Sequence, residues 1–371
     1  MDLVPLLRAL VAVDSTSTRS NLPVLELLEK EARAAGFDTR RSTWLDAAGV
    51  EKANLVCRLG PDSAGGLSLV GHTDCVPYDH DWKEALLGEV RDGRVYGRGA
   101  ADTKAFLAAA LTAAGRVRPL HAPLTLAFTA DEEVGCLGSK QLLAEGRLHP
   151  RHAIVGEPTG LVPVRAHKGY CAVEVRVIGV EGHSAYPDVG ASAIHAVGRL
   201  FSELEAIGRQ LSREVDPDFS PPSCTWNVGL IEGGKARNII AGECRFAYEW
   251  RPLPGQDPRR ALRLLEEALA RLGEESGGRI TSEVAPLRAD PAAVTPPEAA
   301  IVQFLEAESG NRSTTVPFGT ELPEVIGLGA EACVFGPGDI RVAHRTGEHV
   351  EIAELEKATA ILARAIERFC G

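Results

Sequence analysis

The sequence predicts an α/β protein in which a smaller α+β domain is inserted into a larger one. In residues 1–169, helical patterns alternate with short apolar runs bounded by Gly and Pro, which is typical of βα units around a mixed, mainly parallel sheet. In residues 170–286, the strand candidates alternate apolar and polar side chains with a period of two, which is typical of half-exposed strands. Residues 287–371 return to the first pattern, so we expect them to complete the larger domain.

The elements of the larger domain are predicted from apolar periodicity and from the residues that bound each run. An amphipathic helix opens the chain at residues 1–8, and Gly36 ends the next helix. The predicted strands are Ala53–Leu59, Leu67–Val70, Leu124–Thr129, His152–Val155 and Ala332–Phe335. The predicted helices are Leu22–Ala35, Thr103–Ala114 and Ile352–Phe369.

The inserted domain has a predicted β-α-β-β-α-β order with antiparallel strands, as in ferredoxin-like folds. Its strand candidates are Cys171–Val180, Thr225–Ile231 and Glu243–Trp250, and its helix candidates are Ser192–Ile207 and Pro258–Leu272.

Composition excludes several classes of protein. The net charge of −11 argues against a nucleic-acid partner, which would favour a basic surface. No apolar run is long enough to span a bilayer, and the charged opening helix does not resemble a signal peptide, so we expect a cytoplasmic protein. The eight cysteines lie far apart without a Cys-x-x-Cys pair, which favours reduced, buried thiols over reactive ones.

Five short segments place metal-capable side chains where a strand meets a loop, the usual position of sites in open α/β sheets. They are Gly71–Asp74, Gly97–Lys104, Asp131–Glu133, Gly156–Thr159 and Ala343–Arg345. Each segment alone has an ordinary explanation as a surface turn, a helix cap or a solvated acidic loop. Their combination points to a metal site.

The spacing within these segments suits metal chemistry. His72 and Asp74 point to the same face of a strand, so the carboxylate can accept the ring N–H of a ligating histidine. Asp102 precedes a predicted helix, where capping is the ordinary explanation, but the two oxygens of one aspartate can also bridge two metal ions. The three acids of residues 131–133 repel one another unless cations or protons intervene.

Glu157 and His344 complete a donor set of nitrogen and oxygen atoms without thiolate. Such a set suits zinc, cobalt or manganese. Two divalent ions would also balance the charges of three carboxylates and a hydroxide.

The order His-x-Asp, Gly-rich loop with Asp, Glu-Glu, Glu-Pro-Thr and Ala-His resembles the M20 metallopeptidase family over essentially the whole chain. The resemblance implies a zinc-peptidase-type catalytic domain with two divalent ions, zinc as first choice and cobalt or manganese as alternatives. One ion would be held by His72 and Glu157, the other by Glu133 and His344, with Asp102 bridging them. Asp74 would orient His72, and Glu132 would be the general acid and base.

The inserted segment resembles the lid and dimerisation domain of the same family. His183, in Gly-His-Ser-Ala, matches a histidine that reaches the active site of the partner subunit, which implies a homodimer through this domain. Asn238 and Arg251 lie where the family places lid residues that contact substrate, although a turn residue and a surface cation are the ordinary alternatives. Glu249 replaces the aspartate that usually precedes the lid arginine by two residues.

The resemblance implies hydrolysis that removes a short acyl group from the α-nitrogen of an amino acid. Phe318-Gly319-Thr320-Glu321 resembles the branch that deacetylates N2-acetylornithine, with Thr320 and Glu321 near the pocket. Glu321 either pairs with a cationic substrate side chain or is a loop acid exposed to water. The alternatives are removal of succinyl from diaminopimelate, deacetylation of acetylcitrulline, dipeptide hydrolysis and a binding role without catalysis.

Overall fold

The structure, a computed structural model, describes residues 2–117 and 119–371, so that the first residue of the predicted opening helix lies outside the described residues. The chain divides into two compact units. The first contains the described residues of Met1–Ala166, Val294–Thr314 and Thr320–Gly371, and the second contains His167–Ala293 and Thr315–Gly319. The sequence boundary placed between residues 286 and 287 falls inside a strand of the second unit, because that strand lacks a regular apolar alternation.

The helices of the described chain are α1 (Leu3–Val11), α2 (Leu22–Ala34), α3 (Lys104–Ala114), α4 (Leu137–Glu145), α5 (Ala193–Leu211), α6 (Arg260–Glu275), α7 (Ala300–Ser309), α8 (Leu322–Gly327) and α9 (Ile352–Cys370). The strands are β1 (Asp38–Leu45), β2 (Glu51–Leu59), β3 (Leu67–His72), β4 (Glu89–Arg91), β5 (Arg94–Tyr96), β6 (Leu124–Thr129), β7 (His152–Val155), β8 (Val164–His167), β9 (Tyr170–Ile178), β10 (Gly182–His183), β11 (Thr225–Gly233), β12 (Ile239–Ile240), β13 (Glu243–Arg251), β14 (Thr281–Asp290), β15 (Ala293–Val294), β16 (Thr314–Val316), β17 (Glu331–Val334) and β18 (His349–Glu351).

The first unit is built on a mixed sheet with the strand order β1-β2-β6-β3-β7-β17-β8-β15. Its centre is parallel, since β3 pairs with β6 and β7, and β7 pairs with β17, all in parallel. The antiparallel strands β1 and β2 extend one side. The predicted α/β fold with a mixed sheet is therefore confirmed.

Helix α3 lies against this sheet with every one of its residues buried, including Lys104 at its start. Its alanines let neighbouring elements approach closely, and its Phe106 ring fills the space beside two glycines at strand ends. A Cβ added at Gly156 would lie 2.0 Å from the Phe106 ring. The parallel strand ends are thereby held against the start of α3, where the metal-capable segments lie.

The second unit is a four-stranded antiparallel sheet in the order β11-β13-β9-β14, over which α5 and α6 pack. In chain order these elements read β9, α5, β11, β13, α6 and β14, so the predicted ferredoxin-like order is confirmed. Its core contains the Tyr248 and Trp250 rings, which are tilted to each other, and the partly buried Trp226 packs against them.

Two compositional predictions can be compared with the structure. Within the described residues, no helix is both long enough and apolar enough to cross a bilayer. All eight cysteines lie in the described part of the chain, where each is buried and none forms a disulfide. Burial raises the pKa of the Cys75 thiol to about 11, which disfavours the reactive thiolate at this position.

Candidate active site

Two groups of metal-capable side chains meet at the carboxyl ends of the parallel strands. His72, Asp102 and Glu157 form one group, and Asp102, Glu133 and His344 form the other, with the donor atoms of each group all within 4.8 Å of one another. Asp102 belongs to both. Four of the five residues follow strands whose carboxyl ends lie at one edge of the sheet, and Asp102 comes from the loop before α3.

Each oxygen of Asp102 faces a different histidine. His72 Nε2 lies 3.2 Å from Oδ1, and His344 Nε2 lies 3.1 Å from Oδ2. His344 Nε2 also lies 3.0 Å from Glu133 Oε1. Helix α3 begins at Lys104 with Thr103 at its N-cap and without a side-chain cap bond, so the alternative that Asp102 caps the helix is wrong.

Asp74 lies behind His72 and also anchors the acidic loop. The Nδ1 atom of His72 is 3.0 Å from the backbone oxygen of Asp74 and 3.6 Å from its carboxylate, so the backbone contact is the shorter one. The carboxylate accepts hydrogen bonds from the Ser17 hydroxyl at 2.8 Å and from the backbone N–H groups of Glu132 and Glu133 at 3.1 and 3.4 Å.

The electrostatics of this cluster fit cations. Burial raises the pKa of Glu157 well above its usual range, and the charges of Asp102 and Glu132 raise it further. Burial and the Asp102 charge likewise raise the pKa of Glu133. Hydrogen bonds to Asp102 and Glu133 raise the pKa of His344 to about 10, because positive charge is stabilised beside these carboxylates. Two divalent cations would supply the positive charge that these closely spaced oxygen and nitrogen donors need.

Glu132 lies beside this centre but in neither donor group. Its side chain is buried, and its Oε1 atom accepts a hydrogen bond from the Cys136 thiol at 3.6 Å. Its charge contributes to the raised pKa of Glu157, and it is the residue before the donor Glu133. The position fits a proton-transfer role for Glu132 while Glu133 takes part in the metal site.

One buried residue outside the predicted site, Lys52, supports the acidic loop of residues 131–133. Lys52, fully buried on β2, donates from Nζ to Asp131 Oδ1 at 2.7 Å and to the backbone oxygen of Ser17 at 2.6 Å. The bond holds Asp131 in a left-handed conformation at the start of the acidic loop. In the sequence Lys52 stands between Glu51 and Ala53 like an ordinary surface lysine, and Asp131 lies 79 residues away, so its role could not be predicted.

Two predicted lid residues lie together in the second unit. Strands β10 and β12 pair, which puts His183 opposite Ile239. The backbone oxygen of Asn238 accepts the N–H of Ser184 at 3.2 Å. The His183 side chain is exposed, and its Nδ1 accepts the N–H of Ala185 at 3.1 Å. Both residues are therefore exposed and lie on neighbouring segments of this unit.

Arg251 is held in the second unit mainly by an aromatic ring. Its guanidinium carbon lies 3.6 Å from the centre of the Tyr170 ring, whereas the nearest Glu249 oxygen is 3.9 Å from Nη2. Arg288 approaches the same ring at 4.7 Å and pairs with Asp290. The glutamate at position 249 therefore contributes a loose ion pair, and the stack on Tyr170 orients the arginine.

Thr320 and Glu321 start helix α8 in the first unit. The Thr320 hydroxyl accepts the N–H of Leu322 at 3.1 Å. Glu321 is 1% exposed, so the alternative of a loop acid exposed to water is wrong. Among the described residues neither of its carboxylate oxygens has a hydrogen bond of good geometry, although the Thr129 and Ser139 hydroxyls are near, and burial raises its pKa.

The chain is similar to known proteins over its full length. The family model of peptidase family M20/M25/M40 matches residues 68–368. An acetylornithine deacetylase from Myxococcus xanthus is 52% identical over 377 aligned residues, which cover 100% of this chain and 99% of the relative.

Solved structures share the fold. A tripeptidase from Staphylococcus aureus superposes with a TM-score of 0.79 at 22% identity, covering 99% of this chain and 97% of the other. A dinuclear metal-binding peptidase of the M20 family from Bacillus subtilis superposes with a TM-score of 0.69 at 12% identity, covering 99% and 97%.

Proposed function

This chain belongs to peptidase family M20/M25/M40, and from that premise we propose that it is a dinuclear metal-dependent amide hydrolase that releases acetate from N2-acetyl-L-ornithine. The observation that carries the proposal is the 52% identity, over the full chain, to a relative named acetylornithine deacetylase. The geometry supports it, since both donor groups and an adjacent glutamate are present in one site.

We propose zinc as the metal, with one ion on His72 and Glu157, the other on Glu133 and His344, and Asp102 shared between them. When bound, such ions lower the pKa of a bound water and polarise the amide carbonyl. The nitrogen and oxygen donors also accept cobalt and manganese. His72, Asp102 and Glu157 are buried, whereas His344 is exposed at the open side of the proposed site.

Glu132 is the proposed general base and acid. Its carboxylate takes the proton of the attacking water and then delivers it to the leaving α-nitrogen, which becomes the free amine of ornithine. The Cys136 thiol bonds to Oε1, and the backbone N–H bonds to Asp74, so the residue is held at both ends. Asp74 in turn accepts hydrogen bonds from the backbone of the acidic loop and contacts the His72 ring, so it holds both in position.

The second unit supplies the proposed substrate contacts. Arg251 would pair with the α-carboxylate through its planar fork, Asn238 would contact the substrate, and His183 would stabilise the oxyanion. Thr320 and Glu321 would lie near the substrate side chain. Burial raises the pKa of Glu321, and a cationic amine beside it would offset that cost and stabilise the charged carboxylate.

We further propose a homodimer through the second unit, with His183 acting in the active site of the other copy. Support comes from β11, an edge strand whose Leu230 and Ile231 side chains are 72% and 54% exposed. We place the enzyme in the cytoplasm, since eight thiols that form no disulfide in the described chain suit a reducing compartment.

The test is kcat/KM of zinc- or cobalt-reconstituted protein on N2-acetylornithine, acetylcitrulline, succinyl-diaminopimelate and a set of dipeptides. We expect N2-acetylornithine to give the highest value. In Glu132→Gln, kcat should fall by about 10²–10⁴-fold because the general base is lost, while two bound ions remain. Glu133→Gln is the matched control, because it should lower metal content as well as activity.

Preferred turnover of another substrate would keep the mechanism and replace the substrate. Full activity of Glu132→Gln would refute the proton-transfer role. No turnover of any of these substrates by protein that holds two ions would refute the enzymatic proposal itself.

A further inference from the structure

Glu348 is a fully buried carboxylate that no part of the proposed mechanism uses. It lies just before β18, on the loop that also carries His344. Its Oε1 atom accepts the backbone N–H groups of Ala101 at 3.0 Å and Asp102 at 3.1 Å, and its Oε2 atom accepts Nη1 of Arg98 at 2.6 Å. One side chain therefore binds the Gly-rich loop at three points.

The two backbone bonds matter because these N–H groups precede α3 and have no helical partner. Buried N–H groups need an acceptor, and here a single oxygen serves two consecutive ones. These two hydrogen bonds fix the planes of the peptide groups that carry the N–H of Ala101 and of Asp102. They therefore also fix the direction in which the Asp102 side chain leaves the backbone. Asp102 is the residue shared by both donor groups, so a small rotation there changes both.

Arg98, which belongs to neither donor group, neutralises the charge of Glu348. Arg98 forms a buried ion pair with it, in which the side chains are 5% and 0% exposed. Arg98 also donates from Nη2 to the backbone oxygen of Pro77 at 3.2 Å. Because both carboxylate oxygens are engaged by protein N–H groups, Glu348 supports the centre without being one of its donors.

We propose that Glu348 is a positioning residue for both metal ions: through two backbone hydrogen bonds it sets the orientation of the shared ligand Asp102, and Arg98 supplies the charge that allows a carboxylate to be buried there. The inference rests on the proposed metal centre. Residues that orient ligands of metals typically change metal affinity by about 10–100-fold when they are replaced.

The experiment uses two double variants that differ only in the acceptor. Arg98→Met with Glu348→Gln removes both charges and keeps a carbonyl oxygen for the two N–H groups. Arg98→Met with Glu348→Met removes both charges and the acceptor. For each full-length protein, we would measure the dissociation constants of two zinc ions by competition with a chromophoric chelator, the visible spectrum with cobalt, and the melting temperature without metal.

The expected result is that the glutamine variant stays within about tenfold of the wild-type affinity, whereas the methionine variant loses about 10–100-fold for both ions and shows an altered cobalt spectrum. Equal affinities in the two variants, or a loss confined to one ion, would overturn the inference. If the methionine variant does not fold, Glu348→Asp takes its place, because it keeps the charge opposite Arg98 and withdraws the acceptor by one methylene.

Wild-type affinity for both ions in Glu348→Asp would then overturn the inference, and weakened binding of both would support it. A wild-type protein that does not bind two ions would instead refute the proposed metal centre on which the inference rests. The two failures are therefore distinguishable.

Discussion

Asp102 has two carboxylate oxygens, and a different histidine lies within 3.2 Å of each of them. A carboxylate is small enough to lie between two donor groups and offers each group an oxygen. Its position just before a helix is equally typical of a cap, so the sequence left both roles open. What distinguishes them is the approach of His72 and His344, which are distant along the chain.

The face of the Tyr170 ring orients the side chain of Arg251. The Arg251 guanidinium carbon lies over the ring, 3.6 Å from its centre. A cation on an aromatic face is worth about 0.5–2 kcal/mol, depending on how far the pair is removed from water. The stack also leaves the edge of the guanidinium available for a carboxylate.

Replacing Tyr170 should therefore weaken substrate binding more than catalysis. In Tyr170→Leu we expect KM for N2-acetylornithine to rise about 2–30-fold, the ratio that corresponds to the stacking energy, with kcat within about twofold. Tyr170→Phe is the control, since it keeps the ring face and should stay near wild type. Steady-state kinetics on both variants measures this, and equal effects of the two substitutions would argue against the stack.

At the element scale, periodicity located the buried elements of the larger domain well. Strands β6 and β7 have the predicted bounds, and α9 extends only one residue beyond its predicted end. These elements succeed because burial on one or both faces imposes an apolar pattern that is visible in the residues. The five metal-capable segments were found for the same reason, since each follows such an element or precedes one.

The elements and residues that the sequence missed lack that pattern. Strand β1 carries Thr39, Arg40, Arg41 and Ser42 with no buried position along its length, so its pairing with β2 is invisible in its hydrophobicity. Lys52 and Glu348 were missed because their function depends on partners 79 and 246 or more residues away. Tertiary proximity of this kind leaves no periodic signal in a single sequence.

The close packing of α3 against the strand ends is a testable property of these elements. In Gly156→Ala, the new methyl group would lie 2.0 Å from Phe106, whose ring is fully buried and cannot withdraw. We expect a loss of about 1–3 kcal/mol in the free energy of unfolding, the usual cost of overpacking, and a lower metal content because Glu157 is the next residue.

The control is Gly198→Ala, in the middle of α5, where a Cβ would meet nothing within 4 Å. Alanine is the better helix former by about 0.5–1 kcal/mol, so this variant should be as stable as wild type or more so. Urea unfolding and metal analysis of both proteins would check the pair. An unaffected Gly156→Ala would mean that α3 can move away from the sheet.

At the scale of the whole molecule, the second unit presents two edge strands that differ in their surface. Strand β11 carries the consecutive exposed residues Leu230 and Ile231, whereas β14, at the other edge of the sheet, exposes Leu287. Because consecutive side chains of a strand point to opposite faces, both faces of this edge expose an apolar side chain. We expect this edge, rather than β14, to contact another copy, since exposed apolar surface can mark a site of protein–protein contact. The bulge in β11 at Val228 and Leu230 disfavours continuous strand pairing there, so side-chain contact is the expected mode.

Leu230→Lys should therefore convert the proposed dimer into monomers, because a lysine ammonium at an apolar interface has to give up its hydration. Leu287→Lys, the same change on the opposite edge and at a similar exposure of 59%, should leave the assembly intact. Sedimentation and kcat/KM measured on both variants test the assembly together with the role of His183.

If His183 acts on the other copy's substrate, the monomeric variant should lose activity about as strongly as His183→Ala does. A Leu230→Lys protein that stays dimeric would exclude this edge as the interface, and one that is monomeric but fully active would exclude an exchange of histidines between copies.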